Sequence, residues 1–341
     1  MRVDELLTRA VELNASDIHL GVGHAPTLRV NGELVSEGVA ALNEDIETWT
    51  RQLLSEQELE QLHEFGEVDL SYRDRSGMRY RVNAFLQQGY KTLAIRVIPS
   101  RIPTLSDLGL PAPLTKLGSQ PHGLILVTGP TGSGKTTTLA SLIQHINTTS
   151  AKHIITLEDP IEYIHPHAAS VIHQRQIGRD TLGFAPALRA ALRQDPDVIL
   201  VGELRDQETV QTAITASETG HLVLSTLHTG DAVQTIDRLI DMFPSHQQGQ
   251  IRSQLSSVLL GVVSQRLLPR TSGGRVALAE LLINTAAVAN LIRTQKTHQL
   301  KSVMQTSRQL GMQTFAMAAR ERLQSGQISS AVAGTWMEAT S

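Results

Sequence analysis

The chain has no cysteine among its 341 residues, so it can form neither a disulfide nor a thiolate metal site. It has no basic excess either. Lys and Arg number 30 against 33 Asp and Glu, and the net charge of −3 argues against a general nucleic-acid binder. No stretch approaches the roughly 18 consecutive apolar residues that span a bilayer, so direct membrane insertion is not expected and any membrane contact has to go through a partner. The opening MRVDELLTRAVEL lacks the shape of a signal peptide: Val3, Leu6, Leu7, Ala10 and Val11 recur at helical spacing with charged residues between them. Without an export signal or cysteine, the chain is expected in the cytoplasm. It contains no internal repeat and no low-complexity tract. Against these absences stand 40% apolar and 18% charged residues, the composition of a soluble globular protein, in a length that suits two domains.

The first hundred residues predict a small α+β domain, residues 1–98. An opening helix precedes the strand Thr27–Val30 with a tight turn at Asn31-Gly32. A helical stretch follows over Leu42–Phe65, and then an antiparallel set, Asp69–Arg73, Tyr80–Phe85 and Thr92–Ile98. Residues 99–121 hold five prolines (Pro99, Pro103, Pro111, Pro113 and Pro121) and read as a proline-rich linker. From residue 122 to the end the texture is α/β. Apolar runs Leu124–Val127, Ile154–Leu157, Val198–Val201 and Leu222–Leu224 alternate with helical stretches, as in a parallel sheet covered on both faces. Beyond about Asp231 the pattern is helical, broken once at Gly273-Gly274.

Gly129-Pro130-Thr131-Gly132-Ser133-Gly134-Lys135-Thr136 satisfies G-x-x-x-x-G-K-[ST] between a predicted strand and a predicted helix, with Thr137 next in line. Glycines let the backbone curl so that N–H groups face phosphates, and the helix N-terminus adds partial positive charge. Lys135 is expected on the β- and γ-phosphates of ATP and the Thr136 hydroxyl on Mg²⁺.

Hydrolysis also needs a group that orients or deprotonates water. Two acidic clusters follow apolar strands: Glu158-Asp159-Pro160-Ile161-Glu162 and Gly202-Glu203-Leu204-Arg205-Asp206. Acids at strand ends ordinarily cap the next helix. Beside a complete phosphate loop, Glu203 and Glu162 are candidates for catalysis or Mg²⁺ binding, while Glu158 and Asp159 stay open between such a role and a structural one. His221 and His228 flank one short strand, roughly 20 Å apart at extended spacing, too far for a shared zinc ion. His165, His167 and His173 fall in a polar segment that reads as a solvated loop.

Taken together, the motifs resemble those of the secretion-type ATPases of the type II and type IV pilus superfamily, most closely the twitching-motility (PilT-type) retraction ATPases. Ala15-Ser16-Asp17-Ile18-His19-Leu20 resembles the opening signature. GPTGSGKTTTLA (129–140) resembles Walker A, LEDPIEY (157–163) the aspartate box, DPDVILVGELRD (195–206) Walker B and TGHLVLSTLHT (219–229) the histidine box. The resemblance implies a PAS-like N-terminal domain, a RecA-like P-loop core and a homohexameric ring. It implies that Glu162 activates water, that Glu203 acts through Mg²⁺, and that His221 and His228 sense nucleotide or stabilise the closed site. It further implies that Arg81 and Arg96 reach the phosphates bound by a neighbouring subunit.

The short chain without a four-cysteine module favours the retraction branch over assembly or secretion. In that branch an inner-membrane platform protein is the expected partner, and a related pilus ATPase is another. Residues 286–294 depart from the branch's AIRNLIRE motif, with Ala289 in place of its first arginine and Thr294 in place of its glutamate. That departure keeps open a nucleotide-binding regulatory paralogue without force output of its own, alongside pilus assembly by the same engine.

Overall fold

The structure, a computed structural model, describes residues 2–30, 32–98 and 101–338. Asn31 of the expected turn and Pro99 of the expected linker lie outside the described residues. The chain divides into two compact units, one ending at Arg101 and the next beginning at Ile102.

The first unit runs α1 (Val3–Glu12), β1 (Ala15–Leu20), β2 (Thr27–Val30), β3 (Glu33–Ser36), α2 (Asn43–Leu53), α3 (Glu56–Phe65), β4 (Glu67–Arg73), β5 (Arg79–Gln87) and β6 (Tyr90–Ile98). Its six strands form an antiparallel sheet in the order β3-β2-β1-β6-β5-β4. Alternation in β5 sends Tyr80, Val82 and Ala84 to the buried face and Arg79, Arg81 and Asn83 to the other. On the buried face Val82, Leu93 and Ile95 pack with Leu6 and Leu7 of α1, Ile46 and Trp49 of α2 and Leu62 of α3. The helical stretch expected over Leu42–Phe65 is two helices. Ser55 breaks it by capping α3: its hydroxyl accepts from Glu58 N while Glu58 Oε2 accepts from Ser55 N at 2.7 Å.

The second unit runs α4 (Pro113–Gly118), β7 (Gly123–Thr128), α5 (Lys135–Thr149), β8 (His153–Glu158), β9 (Val171–Gln176), α6 (Phe184–Ala191), β10 (Val198–Val201), α7 (Gln207–Glu218), β11 (Leu222–Leu227), α8 (Ala232–Asp241), α9 (Ser245–Val258), β12 (Leu259–Pro269), β13 (Arg275–Ile283), α10 (Ala286–Arg293), α11 (Leu300–Thr306), α12 (Phe315–Gln324) and α13 (Ser330–Glu338). Seven strands order as β13-β12-β7-β11-β10-β8-β9, all parallel except β13. Apolar clusters lie on both faces of the sheet, which is why its strands read as unbroken apolar runs. Parallel strands deliver the loops after β7, β8, β10 and β11 to one edge, where α/β sites form.

Three expectations change here. Residues 102–121 are not a free linker: Leu105, Leu110, Leu114 and Leu117 are buried against Ile125, Val127 and Leu142 of the second unit's core. The prolines shape this segment without detaching it, and Pro113 opens α4 at a position where its missing N–H costs no helical bond. The segment after Asp231 is not wholly helical. β12 and β13 form a hairpin that extends the sheet, turning at Gly273 and Gly274, whose φ values of +87° and +73° suit a side-chain-free residue. Because β12 is covered on both sides, its sequence carries no alternation to betray a strand.

Nor is His165 solvated. It is 7% exposed, its N–H donates to Gln174 Oε1 at 2.9 Å, and its Nδ1 lies 3.3 Å from Gln144 Oε1. Burial pushes its pKa down to about 4 from 6.5. Between these values the unfolded chain binds the extra proton, so the contribution is present above pH 6.5 and is lost as pH falls towards 4. Acidification through this window should remove about 3 kcal/mol of stability through His165. Urea unfolding at pH 7 and pH 4 should show a loss smaller by that amount in His165→Gln; equal losses in both proteins would contradict the assignment.

Candidate active site

The loop between β7 and α5 is shaped by its glycines. Gly129 (φ +146°) lies so close to the Gln265 carbonyl and to Ser133 that a Cβ would collide with both, and Gly134 (φ +89°) enters α5 from the left-handed region. Within this curl the Lys135 ammonium donates to Gly129 O at 2.8 Å and to Pro130 O at 3.1 Å. Burial lowers the Lys135 pKa, the Glu203 carboxylate opposes that shift, Arg266 adds to it, and Glu162 opposes it. Ser133 Oγ is buried with no protein partner. An orphaned hydroxyl, a desolvated ammonium and a glycine cradle at a helix start fit a polyphosphate. The Thr136 hydroxyl and the Glu203 carboxylate are hard oxygen donors of the kind Mg²⁺ takes.

Glu203 follows β10 and is 13% exposed; Arg205 Nη2 lies 2.6 Å from its Oε1 and His228 Nε2 lies 3.8 Å from its Oε2. His228, just past β11, has its pKa lowered by burial first, then by the Lys135 charge; Glu203 pulls it back up and Arg205 pushes it down. Lys135, Glu203 and His228 thus share one electrostatic neighbourhood, with Glu162 near enough to act on Lys135. Thr137 Oγ1 meets Tyr163 OH at 3.1 Å, tying α5 to the segment that carries Glu162. Glu158 is turned inward, accepting from Thr156 Oγ1 at 2.6 Å and Gln174 Nε2 at 3.1 Å, and burial raises its pKa.

His221 does not join this group. It precedes β11 at the opposite edge of the sheet, where its Nδ1 lies 2.9 Å from Ala216 O and 3.3 Å from Thr219 Oγ1. In a parallel sheet the two ends of one strand open on different edges, so within its own chain the His221 ring is remote from the phosphate loop. Arg81 and Arg96 sit in the first unit as direct cross-strand neighbours on β5 and β6. Asp69 lies 3.5 Å from Arg81 and Asp17 lies 2.9 Å from Arg96.

The sequence did not point to β12 as part of the site. Gln265 Oε1 accepts from Thr138 Oγ1 at 2.8 Å, and Ser264 Oγ is 2.9 Å from Thr128 Oγ1 at the root of the loop. No motif marks these residues, and the helical reading of the tail concealed them.

A family model described as "Type II/IV secretion system protein" matches residues 1–334. The chain belongs to that family. It is 44% identical over 330 residues to the type IV pilus retraction ATPase PilT of Pseudomonas aeruginosa, covering 96% of each chain. It is likewise 44% identical over 305 residues to a twitching motility protein of Neisseria gonorrhoeae, covering 89% of this chain and 82% of that one. Among solved structures, the pilus retraction motor PilT with bound ADP superposes at a TM-score of 0.90, with 46% identity over 98% of this chain and 96% of that one. The fold is therefore a RecA-like P-loop ATPase core preceded by a smaller PAS-like α+β domain.

The charges around His228 make a two-sided prediction. Removing the ammonium with Lys135→Ala should raise the His228 pKa, and removing the carboxylate with Glu203→Gln should lower it further. Histidine NMR titration of the two variants reads both directions. Movement in the same direction would show that these groups do not surround the ring as described.

Proposed function

We propose that the protein is an ATP hydrolase that works as a pilus retraction motor, converting turnover within a homohexameric ring into pilin removal. The observation that carries this reading is the phosphate loop grouped with Glu203 and His228 in a chain similar to PilT along almost its entire length.

In the proposed reaction the Lys135 ammonium leaves the Gly129 and Pro130 carbonyls for the β- and γ-phosphates. The loop N–H groups and the start of α5 then hold the remaining oxygens. Thr136 and Glu203 would hold Mg²⁺, which would supply neutralisation of phosphate charge. Glu162 orients or deprotonates the attacking water. His228, its pKa lowered first by burial and then by the Lys135 charge, lies beside Glu203 and positions that side of the site. Arg81 and Arg96 supply cations to the γ-phosphate of the adjacent subunit. Their present carboxylate partners are part-exposed, so an incoming polyphosphate competes with weak pairs. By the same resemblance, His221 senses nucleotide or stabilises the closed site. The chain works at the inner membrane from the cytoplasmic side, through a platform protein and alongside a related pilus ATPase. No helix among the described residues is long and apolar enough to cross a membrane.

A second reading, a nucleotide-binding regulatory paralogue, is favoured by one feature. α10 carries Ala289, half-buried, in place of the arginine of the retraction motif, and exposed Thr294 follows the helix in place of its glutamate.

Lys135→Ala should abolish ATP turnover, and Glu203→Gln should bind nucleotide while losing at least about 100-fold in kcat. Wild-type turnover in Lys135→Ala would sink the enzyme assignment, and an inactive wild type would favour the paralogue. Lys135→Ala and Arg81→Ala, each inactive alone, should regain activity when mixed and allowed to exchange, up to about one interface in four for independent sites in a cyclic ring. No recovery in mixed rings, with proportional loss when wild type is diluted by Lys135→Ala, would refute sharing between subunits. Deletion of the gene should leave excess surface pili and abolish twitching; a bald cell would point to assembly instead.

A further inference from the structure

Two charged residues on the β12–β13 hairpin have no part in the chemistry above, yet they touch both the segment after His228 and the C-terminal helices. Arg266 donates from Nη2 to Gly230 O at 2.9 Å, two residues beyond His228, and from Nη1 to Gln265 O at 2.9 Å. Its guanidinium also lies 5.4 Å from the ring centroid of Phe315, the first residue of α12, and 5.8 Å from that of Trp336 in α13. The two rings are themselves 5.2 Å apart. Beside it Glu280, 4% exposed, accepts from Ala232 N at 3.0 Å and also from the Phe315 backbone N–H. Each side chain therefore has one hold on residues 230–232 and another on α12 or α13.

The position of this pair is informative. The neighbour of Arg266, Gln265, receives Thr138 of α5 and backs onto Gly129, so β12 abuts the phosphate loop along the same stretch. Thr229 Oγ1 meets Thr235 Oγ1 at 2.7 Å, and Thr235 reaches Thr128 at 3.4 Å, which anchors the loop after His228 to the root of the phosphate loop. A cavity of about 240 Å³ remains between Gly230, Arg266, Glu280, Phe315 and Trp336, room in which these groups can shift. A planar guanidinium that binds a carbonyl by its edge and an aromatic ring by its face is suited to link two moving parts, and lysine cannot replace both contacts.

We propose that Arg266 and Glu280 are positioning residues that couple the nucleotide site to the C-terminal helices. They pin residues 230–232, and hence His228, to Phe315 and Trp336, so a shift of His228 on nucleotide binding moves α12 and α13. The proposal rests on the motor reading, but its test uses binding rather than turnover.

Trp49 and Trp336 are the two tryptophans of the chain, and Trp49 lies in the first unit's core. In Trp49→Phe, Trp336 emission should change on addition of ADP. Arg266→Gln in that background should lose most of the change while its ADP affinity stays within about threefold, and its kcat should fall about tenfold with KM for ATP nearly constant. Phe315→Leu, which keeps an apolar side chain and the Gly230 contact, should reduce the emission change by about half and provides the readout if Arg266→Gln does not fold. A full emission change in both variants, or no response to bound ADP in Trp49→Phe, would overturn the coupling. Loss of ATP hydrolysis in wild type with the ADP response intact would overturn the motor reading alone.

Discussion

A buried ammonium sets the terms for the second unit. Lys135 leaves water for a loop whose carbonyls accept its hydrogen bonds, and a charge in that position is tolerated only with compensation around it. Glu203 and Glu162 supply negative charge, while His228 and Arg266 sit close enough to feel or add to the positive field. The sheet order follows the same demand. β7 lies between β11 and β12, so the loops after all three strands meet at one edge and can surround a polyphosphate from both sides.

The first unit poses the opposite problem, since its notable cations are on the surface. Arg81 and Arg96 face each other directly across two strands, where like charges repel, and each leans on a carboxylate from a neighbouring strand. Such pairs add little stability because solvent screens them. Under the proposed function, an anionic ligand at this face would relieve the repulsion between the two arginines. Sharing of active sites between subunits would use that property.

The β12–β13 hairpin connects these themes to the C-terminal helices. Its Gln265 braces α5, its Arg266 holds the loop after His228, and its Glu280 stays buried with a pKa raised to about 7. Burial is the largest cause of that rise, which the backbone N–H of Ala232 partly offsets. Polar residues of this kind satisfy one another in place, so each contact depends on the next.

Contiguous sequence was enough to locate the phosphate loop and the strand–acid pairs, because each is a local pattern with a local cause: a glycine at positive φ, an apolar run ending in a carboxylate. Arg81 and Arg96 differ: they entered only through resemblance to a family, and by local pattern they read as ordinary strand-surface residues. Tertiary structure alone decided what depends on partners distant in the chain. Prolines disguised the packing of Leu114 and Leu117, and two-sided burial erased the period of β12. A polar stretch concealed the burial of His165, and the parallel pairing of β11 with β7 set His228, and not His221, at the edge that carries the phosphate loop. Burial and register are sums over contacts between segments far apart in sequence, and no local pattern records them.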